Sequence, residues 1–528
     1  MRNILSYLEE SAYKYPNKIA VIDENESCTF GELKNKAQVI GCNILRNMNV
    51  DYYINNDSEE DECIVVFMDK SVKTLEAFMG IVYAGCFYCL LDPSFPKDRI
   101  KQILDVTNTK HIITDKKNIG KLNGIEYDGH IYDVEELMDN DEDAKCEFDY
   151  TDKKDSPLYC NFTSGSTGVL KGVLISHGAA MNFIEEFTDT FGISHEDVIG
   201  NQAPFDFDVS VKDIYSCLRS GATLVIIPKS YFMFPNKVVD MLETYKVTTL
   251  IWAVSALVML SRLKALQYKV PSKINKIMFS GEVMPIKQLN IWRECYKEAM
   301  FVNLYGPTEI TCNCMYYIID REFDIDDKLP LGKTFGHNEV FLLDDEDRII
   351  KSSINNIEAD GICDKTMKGE ICVASNSLAI GYYNNKKATY KSFVIYAKDD
   401  KLTRIYRTGD MAYYDVHGNM IFAGRKDYQI KHMGHRIELE EIEKVLNNVE
   451  DVEGACCFFD DEKNKVVAYV VGIDDKRYIV NQMRKKVPDY MVPNVFKIVE
   501  KMPINKNGKT DRALLKFLYK EGVNNEKY

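Results

Sequence analysis

Between residues 163 and 172 the chain reads Thr-Ser-Gly-Ser-Thr-Gly-Val-Leu-Lys-Gly, directly after the apolar run Leu-Tyr-Cys-Asn-Phe. Thr163, Ser164, Ser166 and Thr167 supply hydroxyls, Gly165, Gly168 and Gly172 supply conformational freedom, and Lys171 supplies charge. Glycines let successive backbone N–H groups turn towards one point, so this composition suits an anion cradle, phosphate above all. The spacing is not that of a Walker A loop. Read alone, a flexible surface loop is the competing explanation. Further residues able to do chemistry stand in Tyr305-Gly-Pro-Thr308-Glu309, Arg407-Thr-Gly-Asp410, Gly424-Arg425-Lys426-Asp427 and Asn507-Gly-Lys509, each of which by itself reads as a turn. Cys86-Phe-Tyr-Cys89 is a lone CxxC without a partner pair, and His432 and His435 lack a third ligand, so no metal site is expected from them.

The elements that must position these residues follow from hydrophobic periodicity. Short apolar runs at 62–68, 158–163, 223–228, 248–253, 276–280 and 301–305 read as strands. Segments 73–83, 209–218, 237–245 and 287–296 have helical periodicity. This alternation over the first 430 residues predicts largely parallel sheets covered by helices. From 329 to 424 the strands shorten and Asp/Gly/Asn turns multiply, as in a smaller β-rich subdomain. A new α/β pattern follows, with helices at 437–446 and 478–486 and strands at 466–471 and 495–499. It predicts a small separate domain over 427–528. Acidic runs at 57–62 and 139–143 read as solvated loops.

Length and composition bound the rest. At 528 residues two to four domains are expected. A net charge of −15 argues against general binding to a phosphate backbone, hence no nucleic-acid partner. The N-terminus carries Arg2, Glu9, Glu10 and Lys14, which fits no signal peptide. The longest uncharged apolar runs, 77–91 and 247–260, are too short to span a bilayer comfortably. The 15 cysteines are odd in number, and Cys86, Cys89, Cys160, Cys456 and Cys457 lie in apolar runs, as buried free thiols do. A cytoplasmic, reduced protein is expected.

The 163–172 segment resembles the phosphate loop of the adenylate-forming superfamily: acyl-CoA synthetases, luciferases and peptide-synthetase adenylation domains. Leu170 stands where that family usually has proline, which predicts a looser loop without loss of a ligand. Other family-like motifs follow in order: Leu91-Asp92-Pro93 with Arg99-Ile100, Phe207-Asp208-Val209-Ser210, Asn-Leu-Tyr-Gly-Pro-Thr-Glu at 303–309, and Gly369-Glu370-Ile371 with Gly381-Tyr382. Tyr-Arg-Thr-Gly-Asp ends at Asp410, Gly-Arg-Lys-Asp-Tyr-Gln-Ile-Lys spans 424–431, and Gly-His-Arg-Ile-Glu spans 434–438. Tyr-Met-Val-Pro at 490–493 and Asn-Gly-Lys-Thr-Asp-Arg at 507–512 complete a set running from about residue 30 to 512.

The resemblance implies an α/β protein whose residues 1–426 form the adenylation core: two parallel-rich subdomains plus a β-rich one, binding ATP and substrate. It implies a mobile α+β domain, 427–528, carrying the catalytic lysine. ATP and Mg²⁺ are the implied cofactors. Thr163, Ser164, Gly165, Ser166, Thr167, Gly168 and Lys171 would hold the leaving phosphates. Glu309 would bind Mg²⁺ and Thr308 would donate to the α-phosphate; Asn303 and Tyr305 would meet adenine, and Asp410 and Arg425 the ribose and phosphate. Lys509 would bridge carboxylate and α-phosphate, Lys431 would serve a second half-reaction, and Asp427 would be the hinge.

Asp208 sits where peptide-synthetase domains hold a substrate α-amino group. The 438–443 and 279–285 segments resemble stand-alone D-alanine–carrier protein ligases, although those typically have Cys in place of Ser280. The chain runs only 16 residues past Arg512, so the carrier, with its phosphopantetheine thiol, is expected to be a separate protein. Pocket positions implied by the motifs are Asp208, Val209, Lys212, Trp252, Met278, Ser280, Leu304, Cys312 and Asn313. Bulky Trp252 and Met278 favour a small side chain. Lys212 either meets an acidic substrate side chain or points to solvent, the latter being the stronger expectation. The expected enzyme is a monomeric amino-acid ligase loading a carrier in trans; a carboxylic (aryl) acid–CoA ligase is the alternative.

Overall fold

The apolar runs become strands buried on both faces, as expected when helices cover a parallel sheet. A computed structural model describes residues 3–47, 62–139, 154–163, 170–336, 338–351, 367–398, 401–504 and 510–522. Cys63–Phe67 is flanked by the parallel strands Phe87–Leu90 and His111–Thr114. The sheet extends to seven strands, ending in His130–Asp133 on one side and in Pro157–Thr163, Lys171–Ser176 and Gly381–Tyr382 on the other. A second sheet has nine strands. Ile19–Ile22, Thr223–Ile226, Val198–Asn201, Thr249–Ala253, Lys276–Ser280 and Met300–Tyr305 run parallel in that order, with antiparallel strands at its edges.

One core joins the two sheets through the helices between them. Ile64, Val66 and Tyr88 of the first sheet and Ile251, Met278 and Val302 of the second belong to it, with Phe78, Phe183 and Ile214 from intervening helices. Alternation along each strand sends the neighbouring residues to separate cores on the outer faces: Trp252, Ile277 and Phe279 on one, Val65, Phe87 and Cys160 on the other.

The β-rich segment forms a six-stranded antiparallel sheet around Gly369–Ser375 and the long strand Lys401–Tyr414, which also pairs with Met420–Arg425. Beyond it stand the hairpin Gln429–His432/His435–Glu438 and a three-stranded sheet, Val452–Asp460, Lys465–Gly472 and Val495–Ile498. Their core, including Ile437, Ile442, Leu446, Val466, Ala468, Ile479 and Met483, contains no residue before Ile430.

Cys86, Cys89, Cys160, Cys456 and Cys457 are buried. Leu170 is also buried, in the core with Cys160 and Leu174. Most of both acidic runs lies outside the described residues. Among the described residues no helix is long and apolar enough to cross a membrane.

Candidate functional site

The carboxyl ends of parallel strands are where α/β sheets bind ligands. Here Ala253, Ser280 and Tyr305 end adjacent strands of the second sheet. After Tyr305 the chain makes a short 3₁₀ turn, Thr308–Ile310, then doubles back with Thr311 and Cys312 at φ of 55° and 75°. Gly306 permits this return, because a Cβ there would lie 2.5 Å from Asn313 Cα and 2.7 Å from the Cys312 carbonyl oxygen. Gly306→Ala should therefore cost about 1–3 kcal/mol through overpacking. Its denaturation midpoint should fall, while Gly454→Ala, where a Cβ meets nothing within 4 Å, should be nearly neutral.

A cleft of about 2920 Å³ opens above these strand ends, lined in part by Asn303, Tyr305, Asp410, Arg425, Asp427 and Lys431. Tyr305 Oη donates to Asp410 Oδ2 at 2.6 Å, and Arg425 Nη1 donates to Oδ1 at 2.5 Å. Each Asp410 oxygen keeps a further lone pair for an incoming hydroxyl. Asn303 Nδ2 donates to the Pro330 carbonyl at 2.9 Å. Asp427 holds the other edge of Arg425, accepting from Nε at 2.7 Å and Nη2 at 2.9 Å, and also accepts from Gln429 N at 3.2 Å.

The hairpin 429–438 is the feature that motif matching left without a geometry. Its turn, Met433-Gly434, has both φ positive, 53° and 83°, as tight hairpin turns require. Gly434 N donates to Glu282 Oε1 at 2.7 Å, which seats the turn against the strand end after Ser280. Lys431 is directly opposite Arg436, and Ile430 opposite Ile437, so one face of the ribbon carries the two cations, with Gln429 and Glu438, and the other joins the small core. Lys431 Nζ lies 5.9 Å from the Tyr305 ring centroid, and burial lowers its pKa.

Arg436 reaches both oxygens of Glu309, at 2.9 and 2.7 Å, and Tyr382 Oη donates to Glu309 Oε1 at 2.7 Å. Burial alone would raise the Glu309 pKa, but Arg436 and the Tyr382 and Tyr406 hydroxyls bring it below its ordinary value. Lys171 Nζ sits 5.2 Å over the Tyr382 ring, where burial, with Arg436 nearby, lowers its pKa. Arg436 and Tyr382 were readable as motif letters, yet nothing local revealed that they converge on a residue far away in sequence.

On the inner face of the second sheet, Asp208 and Lys212 begin the helix Val209–Ser220, which is buried on every side over residues 209–218. Burial raises the Asp208 pKa, opposed by a hydrogen bond from Thr308. Lys212 Nζ donates to Ser280 Oγ at 3.2 Å and Asn313 Oδ1 at 2.8 Å; it does not point to solvent. Cys312 Sγ donates to the Asp208 carbonyl at 3.1 Å. Val209, Met278, Leu304, Cys312 and Asn313 are buried around them. Trp252 is not with this group: its Nε1 donates to Gly200 O at 2.7 Å and its ring packs on Phe232 in the outer-face core. Ile251, one residue earlier, faces the inner core with Met278, because adjacent strand residues point to opposite faces.

Thr163 and Lys171 pair across the mouth of the glycine-rich segment. Ser164, Gly165, Ser166, Thr167 and Gly168 lie outside the described residues, as does Lys509. Ile504 and Thr510, on either side of Lys509, form a bridge, and Thr510 and Arg512 border the cleft.

A family model described as AMP-binding enzyme matches residues 8–383, and one described as AMP-binding enzyme C-terminal domain matches 441–509. The chain belongs to the AMP-binding enzymes, the adenylate-forming superfamily. Among curated relatives, this AMP-binding enzyme is 30% identical over 531 residues to zwittermicin A synthase ZmaJ of Bacillus cereus, covering 98% of this chain and 95% of that one. It is 30% identical over 514 residues to tyrocidine synthase 3 of Brevibacillus parabrevis, covering 96% of this chain but only 7% of that one.

Three solved structures share the fold. The Vibrio cholerae adenylation domain AlmE, in complex with glycyl-adenosine-5′-phosphate, superposes with a TM-score of 0.80 at 19% identity, covering 99% of this chain and 98% of that one. Holo-PA1221, an NRPS protein containing adenylation and PCP domains, gives 0.80 at 21% identity, covering 97% and 84%. The o-succinylbenzoate CoA synthetase of Bacillus subtilis gives 0.78 at 20% identity, covering 97% and 98%.

Proposed function

We propose that this AMP-binding enzyme is an ATP-dependent amino-acid ligase that forms an aminoacyl-adenylate and passes the aminoacyl group to the phosphopantetheine thiol of a separate carrier protein. Asp208 carries this reading. It is a buried carboxylate with no cation within 4 Å among the described residues, Lys212 and Lys431 acting on it only from further away, and a substrate ammonium would pair with it directly. Such a charge is costly unless a ligand compensates it. The glycyl-adenylate named for AlmE and the PCP domain named for PA1221 fit the two halves of the reaction.

In the first half, a substrate carboxylate oxygen attacks the α-phosphorus and pyrophosphate leaves. In the second, a thiol attacks the acyl carbon and AMP leaves. Both depend on positioning and charge neutralisation. Asp410 and Arg425 would grip the ribose; Tyr305 would lie against adenine, and Asn303, its N–H engaged by Pro330, would offer its amide oxygen. Ser164, Gly165, Ser166, Thr167, Gly168 and Lys171 would cradle the leaving phosphates, with Thr308 near the α-phosphate. Mg²⁺, when bound, neutralises phosphate charge; Glu309 is a suitable oxygen ligand provided Arg436 gives up its oxygens. Lys509 serves adenylation, and Lys431 serves transfer. The hairpin lodged beside Tyr305 corresponds to the transfer arrangement, with residues 427–528 turning about Asp427 between the two.

ATP–pyrophosphate exchange across L- and D-amino acids and their des-amino analogues tests this. Amino acids alone should support exchange; exchange with the simple acids instead would favour the acid–CoA ligase, whose fold is shared by the Bacillus subtilis synthetase. A D-alanine-ligase-like preference is tested at Ser280. If it borders the substrate α-carbon, Ser280→Cys and Ser280→Ala should shift the D-to-L turnover ratio. An unchanged ratio in both variants removes that position as a guide to chirality.

A further inference from the structure

Asp208 and Lys212 stand one helical turn apart, so their side chains leave the helix Val209–Ser220 on the same side. Lys212 is 1% exposed, and its two hydrogen-bond acceptors, Ser280 Oγ and Asn313 Oδ1, are uncharged. No carboxylate lies within 4 Å of it among the described residues. The adjacent Asp213 accepts from Asn201 at 2.7 Å on Oδ2, and burial pushes its pKa up to about 7, opposed by that hydrogen bond and by Lys212 and Lys70 from further away.

Counting charges then identifies what is missing. A bound amino acid places its ammonium on Asp208, which uses that carboxylate's negative charge. Its α-carboxylate is committed to the α-phosphate. Lys212 then keeps hydrogen bonds to neutral dipoles only, with the adjacent Asp213 acting on it from further away, and an added anion beside it would be favourable. The Asn313 amide and Ser280 hydroxyl beside it have the hydrogen-bonding capacity to share a carboxylate with it. Met278, Leu304 and Ile251 are buried at the same inner face.

We propose that the side chain of the activated amino acid carries a carboxylate bound by Lys212 with Ser280 and Asn313, making the substrate an acidic amino acid of the aspartate or glutamate kind. This rests on the amino-acid reading of the site above. Lys212 is then the specificity-determining residue.

The test is pyrophosphate exchange by the full chain with L- and D-aspartate and glutamate, asparagine, glutamine, 2-aminobutyrate, norvaline, alanine and succinate. An acidic amino acid should exceed its uncharged isosteres by about 100-fold or more in kcat/KM, because a site built around polar groups rejects analogues that leave them unpaired. Lys212→Met should reverse that order in favour of 2-aminobutyrate or norvaline, whereas Lys212→Arg should keep it. An uncharged amino acid as the best wild-type substrate overturns the proposal, whatever the variants do, and leaves amino-acid activation standing. Succinate matching aspartate overturns both. If Lys212→Met fails to fold, the wild-type ranking decides alone.

Discussion

Lys509→Ala should lower ATP–pyrophosphate exchange by about 10²–10³-fold, the usual loss on removing one preorganised donor, while transfer from pre-formed adenylate to a carrier thiol is largely retained. Lys431→Ala should do the opposite. The geometry of the hairpin underlies the asymmetry. Lys431 and Arg436 face each other across two strands, Lys431 lining the cleft and Arg436 on Glu309, and their mutual repulsion is offset by Asp410, Asp208 and Glu309. With the hairpin inserted, the carboxylate proposed to bind Mg²⁺ is held by Arg436 at both oxygens. On the proposed function, adenylation would then need this ribbon to withdraw, with Lys509 of residues 427–528 taking its place. Asp427→Pro, which fixes φ at the proposed pivot, should impair transfer more than exchange. Single-turnover transfer measured beside exchange separates these outcomes; loss of transfer but not exchange in Lys509→Ala would reverse the assignment of the two lysines.

Asp208→Ala should abolish discrimination between an amino acid and its des-amino analogue. Leaving a buried ammonium unpaired costs roughly 3–5 kcal/mol, at least about 10²–10³-fold in affinity. Here the effect is aggravated by Lys212 one turn away, which would repel that ammonium once Asp208 is gone. The des-amino acid, with no ammonium to strand, should lose far less. Exchange kinetics with the matched pair give the answer, and equal losses for both substrates would mean that Asp208 does not meet the amino group.

Much of the scaffold was legible because its signals are local. Strand 276–280 and the strand end at 253 coincide with Lys276–Ser280 and Thr249–Ala253, since short β-branched and aromatic runs between helical segments specify buried parallel strands. The glycine-rich segment was legible by composition, and its flanks pair as a hairpin. Facing directions were harder. Period-2 alternation tells which strand residues share a face but not which face, so Trp252, expected in the pocket, lies instead in the outer-face core while Ile251 faces inward. Lys212 looked like a solvent-facing helical lysine because nothing in a single helix reports that both its sides are covered. The grip of Arg436 on Glu309 joins residues 127 positions apart, beyond the reach of any local pattern.

Cys312 raises a question of chemical self-protection. Its sulfur lies beside the pocket in which, on the proposed function, an acyl-phosphate mixed anhydride is formed to be captured by a thiol. A thiolate there would compete with the incoming thiol and acylate the enzyme itself. Burial, with Asp208 nearby, raises the Cys312 pKa well above its ordinary value, and its S–H is directed at the Asp208 carbonyl. Since the thiolate is the reactive form, the residue is a spectator despite its position. Burial, the larger of the two causes, persists when a substrate ammonium occupies Asp208, so on the proposed function it disfavours self-acylation where the activated intermediate would be held.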